Sequence, residues 1–295
     1  MKATFKFILS LIIVLLFQTV QSTQAAPAFW KVKSKTAEIY LFGSIHAGNP
    51  SMYPLPEIIN NAYINSQHLT VEVDIISPSM LKSIGWLWLN GTLADSKTID
   101  SVLDKDTLAL LKKTLTQYKI PYTSIERLKP WIIALNLESL NMTSAELKPQ
   151  YGIDLHFLTR AHRSRKSVLQ LESAEEQFGL FENMTMPQQI VLLKETLKNM
   201  ISSDDVLGKL VKFWSNGDID SLEKLILSEM KSDPDSEFFY DLLLTNRNRK
   251  MADKIAAYLD TKDKYFVVVG AAHYLGPDSI IRFLHDKGIE VERIE

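Results

Sequence analysis

Residues 265–273 read Tyr265-Phe266-Val267-Val268-Val269-Gly270-Ala271-Ala272-His273. Five consecutive apolar residues, three of them β-branched, predict a buried strand that stops at a glycine. A helix over Pro277–Lys287 and a strand over Ile289–Arg293 follow, so the chain ends β–α–β. The same lettering stands near the other end, where Leu41-Phe42-Gly43-Ser44-Ile45-His46 closes a predicted strand over Glu38–Phe42. Each copy is a hydrophobic strand, Gly, two small or apolar residues and His, followed by Gly48 and Pro50 or by Gly276 and Pro277. With 11 Gly and 6 His in 295 residues, chance supplies about 0.2 Gly-x-x-His matches. Glycine lets the chain leave a strand sharply, which puts each His at the carboxyl edge, where open α/β sheets bind ligands. If the two strands are neighbours, His46 and His273 converge.

Working inward, Pro54 and Pro56 introduce a helical stretch to Ser66, and Leu69–Val73 reads as a second strand. Leu69, Val71 and Val73 share one face of it, and Thr70, Glu72 and Asp74 the other. A third strand, Ser167–Leu171, ends at Glu172. Between the strands lie helical blocks. Pro78–Arg165 contains Leu108, Leu111, Leu115 and Tyr118 at helical spacing, with a segment starting at Pro130; further blocks cover 174–183, 187–214, 218–231 and 236–259. The expectation is an α/β fold: one domain over 26–295, its sheet built from N- and C-terminal strands and completed by the last β–α–β unit, with long helical insertions.

Composition narrows the function classes. The chain is 46% hydrophobic and 23% charged, an ordinary globular balance. Lys and Arg number 33 against 35 Asp and Glu, with no long basic run, so nucleic acid is not an expected partner. The absence of Cys excludes disulfides, thiolate metal sites and cysteine nucleophiles. Lys2 and Lys6, the apolar run Phe7–Phe17 and the small residues Ala25, Ala26 and Ala28 read as a secretory signal peptide over 1–25. Cleavage is expected after Ala25 or Ala28, delivering a protein with no stable membrane span to an exported space, the periplasm. Its oligomeric state is not readable.

Two imidazoles need a third group to make a catalytic metal site, commonly a carboxylate. Glu72, off the apolar face of its strand, is the candidate, and Asp74 one pleat onward could orient a ligand; the alternative for both is a solvent-facing strand edge. A His, His, Glu set suits hydrolysis of amides or esters, and it equally matches an iron(II) oxygenase triad. HExxH, GxSxG, GxxxxGK[ST] and GxGxxG are all missing. His68, His156, His162 and His285 read as surface or packing residues.

Four blocks carry a resemblance: LFGSIHAGNPSMYPLP (41–56), VEVD (71–74), YGIDLHFLTRAHRSRKSVLQLESAEEQ (151–177), and NRNRKMADKIA (246–256) through YFVVVGAAHYLGPDSI (265–280). In this order they resemble the TraB/GumN family, whose eukaryotic relatives include the TIKI metalloproteases. The resemblance implies an EreA/ChaN-like α/β fold and an active site of His46, His273 and Glu72. It adds Asp154, Glu172, Arg247 and Asn248. Read locally, Asp154 is better placed as a helix N-cap, Glu172 as a pocket residue or cap, and Arg247 as a ligand-facing or surface guanidinium. Asn246 and Met251 stand where the family usually has Glu and Trp. The leading expectation is an exported hydrolase, peptidase-like, using a divalent ion (Mn, Co or Zn) on His46, Glu72 and His273 against a peptide or small-molecule substrate. The rivals are a metal-independent esterase-type hydrolase with His46 as base, and a non-catalytic protein that binds haem, iron or a peptide.

Overall fold

A computed structural model describes residues 27–295 apart from 79, 95, 203–204 and 231–237. The expected leader over 1–25 lies outside the described residues. Six strands form one mixed sheet: β1 (Phe29–Val32), β2 (Glu38–Ser44), β3 (His68–Val71), β4 (Ser167–Gln170), β5 (Lys264–Gly270) and β6 (Val291–Arg293). Their order is β4-β3-β5-β2-β1-β6. The first four in this order run parallel, while β1 is antiparallel to β2 and β6 to β1. The apolar run that predicted a buried strand is central, and every residue from Tyr265 to Gly270 is buried. A parallel strand with neighbours on both sides needs both faces covered, and this one has no polar face to offer water.

Two features differ from the sequence expectation. β1 was not predicted: Phe29-Trp30-Lys31-Val32 is too short for an alternation to show, and long-range pairing of Phe29 with Phe42 and Trp30 with Leu41 makes it a strand. The final strand does not lie beside β5; β6 crosses past β2 and pairs with β1, Trp30 opposite Arg293.

Eleven α-helices are described: α1 (Glu57–Asn65), α2 (Met80–Asn90), α3 (Lys105–Gln117), α4 (Pro130–Ser144), α5 (Ile153–Ser164), α6 (Ala174–Glu182), α7 (Met186–Ile201), α8 (Val206–Ser215), α9 (Ile219–Met230), α10 (Asn246–Ala257) and α11 (Ile280–Asp286). The block expected over 187–214 is two helices, because the Asp205 side chain accepts from Gly208 N–H and starts α8 afresh. A π-helical segment, Asp241–Thr245, feeds α10. Such wide turns often sit beside functional sites, and this one ends two residues before Arg247. The C-terminal helix starts at Ile280, capped by Ser279, rather than at Pro277.

Aromatic rings fill the core beside the sheet. Phe157 of α5 packs edge-on against Phe42, centroids 5.9 Å apart, and lies 4.9 Å from Phe266. A second apolar cluster joins α3, α4 and α7 through Leu111, Leu115, Ile133, Leu137, Leu193 and Leu197. Trp214 ties α8 to the sheet: its buried indole Nε1 donates to the Gly43 carbonyl at 2.7 Å. Trp214→Phe strands that carbonyl and is expected to cost about 1–3 kcal/mol in urea denaturation; an unchanged midpoint would show that the bond contributes nothing. Among the described residues no helix is long and apolar enough to cross a membrane.

Candidate functional site

Strands β3, β5 and β2 end side by side, and register decides what meets there. Ser44 lies opposite Gly270, and Val71 opposite Val268. His46, two residues past β2, and Glu72, one residue past β3, are therefore brought level with the end of β5. His273 follows in a short 3-10 turn, Ala271–Tyr274. The convergence is tight. A methyl group at Gly270 would stand 3.3 Å from Glu72 Oε1, 3.6 Å from His46 Nε2 and 3.6 Å from His273 Cδ2.

Each side chain is oriented by a partner. Asn248 is buried in α10 and donates from Nδ2 to the Asp278 carbonyl at 2.7 Å, which fixes its amide. Its Oδ1 must then accept from His273 Nδ1, 2.5 Å away. That hydrogen bond leaves a lone pair on His273 Nε2. Burial lowers this imidazole to about 4, so it is neutral at pH 7. Its Nε2 faces Glu72 Oε2 at 3.8 Å.

His46 is held at the rim, its side chain 64% exposed. Its Nδ1 lies 2.8 Å from Asp154 Oδ2, while Ser44 Oγ donates to the other oxygen of Asp154, also at 2.8 Å. The Asp154 charge beside it raises His46 to about 9. The expectation that Asp154 caps its helix is therefore overturned: Gly152 occupies the cap position with no side-chain bond, and Asp154, in the first turn, faces His46 instead.

Glu72 is buried and fully engaged. Oε1 accepts from Gly270 N–H at 2.7 Å; Oε2 accepts from Arg247 Nη2 at 2.6 Å and Gln177 Nε2 at 3.1 Å. Burial alone would raise this carboxyl, but the two histidines and Arg247 hold it down at about 2. Arg247 bridges two acids, since its Nε and Nη2 also donate to Glu172 at 2.9 and 2.6 Å. Gln177 spans the same two carboxylates, reaching Glu172 Oε2 at 3.0 Å. Arg247 is thus not a surface guanidinium, and Glu172 is not a cap; Ser173 and Glu176 cap α6.

Asp74 departs from the sequence reading. It is buried, and its Oδ2 lies 2.7 Å from His162 Nε2 on α5, while its N–H donates to Gln170 Oε1. The pleat ends at Val71, so the alternation that would put Asp74 beside Glu72 no longer applies. His162, read as a surface residue, acquires this partner as a result. Gln177 and Ser44 escaped the sequence reading. Gln177 has no chemistry-bearing motif of its own, although it sits within the quoted 151–177 block; Ser44 lies inside the first Gly-x-x-His.

Among the described residues no group of three or more His, Cys, Asp and Glu side chains is set to hold a metal ion. Both Glu72 oxygens already accept hydrogen bonds. The donor chemistry nonetheless fits a cation. The His273 lone pair and the Glu72 carboxylate, two electron-pair donors, face each other at 3.8 Å, about 0.4 Å wider than two tetrahedral ligands about 2.1 Å from one ion. A cavity of about 390 Å³ opens onto His46, Glu72, Asp154, Gln177, Phe181 and Arg247.

The chain is 25% identical over 246 residues to the uncharacterized protein YbaP of Escherichia coli (strain K12), covering 83% of this chain and 87% of that protein. It is 23% identical over 311 residues to metalloprotease TIKI2 of Xenopus tropicalis, and 22% identical over 325 residues to metalloprotease TIKI1 of Homo sapiens. Those two matches cover 89% and 92% of this chain but only 59% and 63% of the relatives' lengths. No solved structure matches the chain. The family model for TraB/PrgY/gumN matches residues 28–293, and the chain belongs to the TraB/PrgY/gumN family.

Proposed function

We propose that the protein is an exported hydrolase of amide or ester bonds, most readily a peptidase, in which His46, Glu72 and His273 hold one divalent ion. The observation that carries this reading is the convergence of an inward lone pair on His273, the His46 Nε2 and an ionised Glu72 around Gly270. Kinship with proteins named metalloproteases supports it. When bound, a divalent cation supplies a water of lowered pKa and polarises the carbonyl. Asp154 and Asn248 aim the two imidazoles through their Nδ1 atoms, an arrangement that fixes the orientation of metal-binding histidines. In the free protein a proton sits on His46 Nε2 because Asp154 favours the imidazolium, and His46 would have to give that proton up to hold a divalent ion. Arg247 lines the cavity and holds the Glu72 and Glu172 carboxylates in place. Hydrolysis then adds water across the acyl bond: oxygen bonds to the carbonyl carbon, the bond to nitrogen or oxygen breaks, and a water proton ends on the leaving group. A metal-free route with His46 as general base fits less well, since Asp154 keeps that imidazole protonated to about pH 9.

The test is hydrolysis of a diverse peptide pool with Mn, Co or Zn added and then chelated, using wild type, His273→Ala and Gly270→Ala. Gly270→Ala needs no positive φ, and its closest contact, 3.3 Å, is with Glu72 Oε1, so its methyl presses directly on the convergence point. Activity that appears with metal, disappears with chelator and falls at least about 100-fold in both variants is expected. Chelator-insensitive cleavage, or full activity in Gly270→Ala, would exclude the proposed arrangement.

A further inference from the structure

A second cavity of about 630 Å³ adjoins the first and contains neither of the site histidines. Its apolar surface comes from Leu171, Leu180, Met184, Phe238 and Leu242, and polar and charged side chains, Glu172 and Arg247 among them, line the rest. Leu180 and Arg247 also line the cavity that contains His46 and Glu72. The two spaces therefore meet at a shared wall, a chemical half on one side and an apolar half on the other. Arg247 is the partition, its guanidinium bonded to Glu72 on one side and Glu172 on the other.

We infer that the apolar half is a specificity subsite, which takes a bulky apolar side chain of an extended peptide whose scissile bond lies in the chemical half. The inference rests on the proposed hydrolase reading for its register, but the subsite can be read by binding alone. A large apolar side chain is the group such walls desolvate with gain. A charged or short side chain leaves the pocket wet. Most charged groups around the rim are already engaged: Glu172 with Arg247, Asp253 with Lys287, Lys254 with the Leu171 carbonyl, and Glu176 with its own helix cap.

Gly179, on the α6 wall of this cavity, gives a clean test. A Cβ there meets only the Asn183 side chain, at 3.6 Å, so the position accepts a side chain without strain. Fluorescein-labelled Ala-Ala-Phe-Ala-Ala and its all-alanine counterpart are titrated by fluorescence anisotropy against wild type, Gly179→Ala, Gly179→Leu and Leu242→Lys. Wild type and Gly179→Ala are expected to bind the Phe peptide about tenfold or more tightly than the alanine peptide. Gly179→Leu and Leu242→Lys, which respectively fill and charge the pocket, are expected to lose that preference. Equal binding of the two peptides by wild type, binding of neither, or a preference that survives in both blocking variants overturns the subsite. Loss of the preference in both blocking variants upholds the subsite even if the metal-supplemented peptide pool shows no cleavage, the result that removes the hydrolase reading instead.

Discussion

Arg247→Met is expected to destabilise the folded protein by about 3–5 kcal/mol at pH 7. The guanidinium is 12% exposed and is hydrogen bonded to two carboxylates, Glu72 and Glu172, each about 9% exposed. Methionine matches much of its length but leaves both anions buried without their counter-charge, and an unpartnered buried charge costs more than the pair contributed. The pH dependence gives the prediction a sign. In wild type Glu72 is held at about 2 against an ordinary 4.5. The corresponding stabilisation, of the order of 3 kcal/mol, is fully present above about pH 4.5 and lost as pH falls through about 2. In Arg247→Met Glu72 accepts its proton at higher pH, which removes that buried charge, so the deficit shrinks on moving from pH 7 to pH 4.5. Urea denaturation at the two pH values reads both effects. A loss below about 1 kcal/mol at pH 7, or a deficit that grows toward acid, would contradict the bridging role.

Gly152→Ala has the next largest expected effect, and it acts on His46 through the backbone. A Cβ at residue 152 would fall 2.2 Å from the His46 carbonyl oxygen, 2.8 Å from its carbon and 3.0 Å from the Pro149 carbonyl. No flexible side chain can yield there, so the peptide of His46 has to move by about 1 Å to reach ordinary contact. The neighbouring bond from Ile153 N–H to the Ile45 carbonyl, 2.9 Å long, opposes the movement. A cost of about 1–3 kcal/mol is expected, together with about a 100-fold loss of any hydrolysis that depends on His46. NMR titration of the imidazole supplies a readout independent of activity. His46 should fall from about 9 toward its ordinary 6.5 as the contact with Asp154 loosens. An unshifted titration would mean that the loop absorbs the methyl without moving the imidazole.

Much of this architecture was legible because parallel strands buried on both faces are written as unbroken apolar runs. Tyr265–Val269 and Leu41–Phe42 carry that pattern, and each stops at a glycine followed three residues later by histidine. Glu72 was legible as the acid on an otherwise apolar strand. β1 was not, since Phe29–Val32 is a strand only through its partners. Asp154 and Asp74 were misread for a related reason: local rules assign a cap to an acid at a helix start and an alternating face to an acid near a strand. Both side chains instead follow partners far along the chain, His46 and His162.

The order of residues along the chain determined the α/β class, the carboxyl-edge position of His46 and His273, and the acidic character of the neighbouring strand end, because strand periodicity and glycine exits are local properties of the polypeptide. Only the tertiary structure decided that Glu72 is clamped between Gly270, Arg247 and Gln177, that Asp154 and Asn248 aim the imidazoles, and that Arg247 divides two cavities. Those contacts join residues up to 198 positions apart. Sheet order and register bring them together, and these are set by packing over the whole molecule rather than by any short stretch of it.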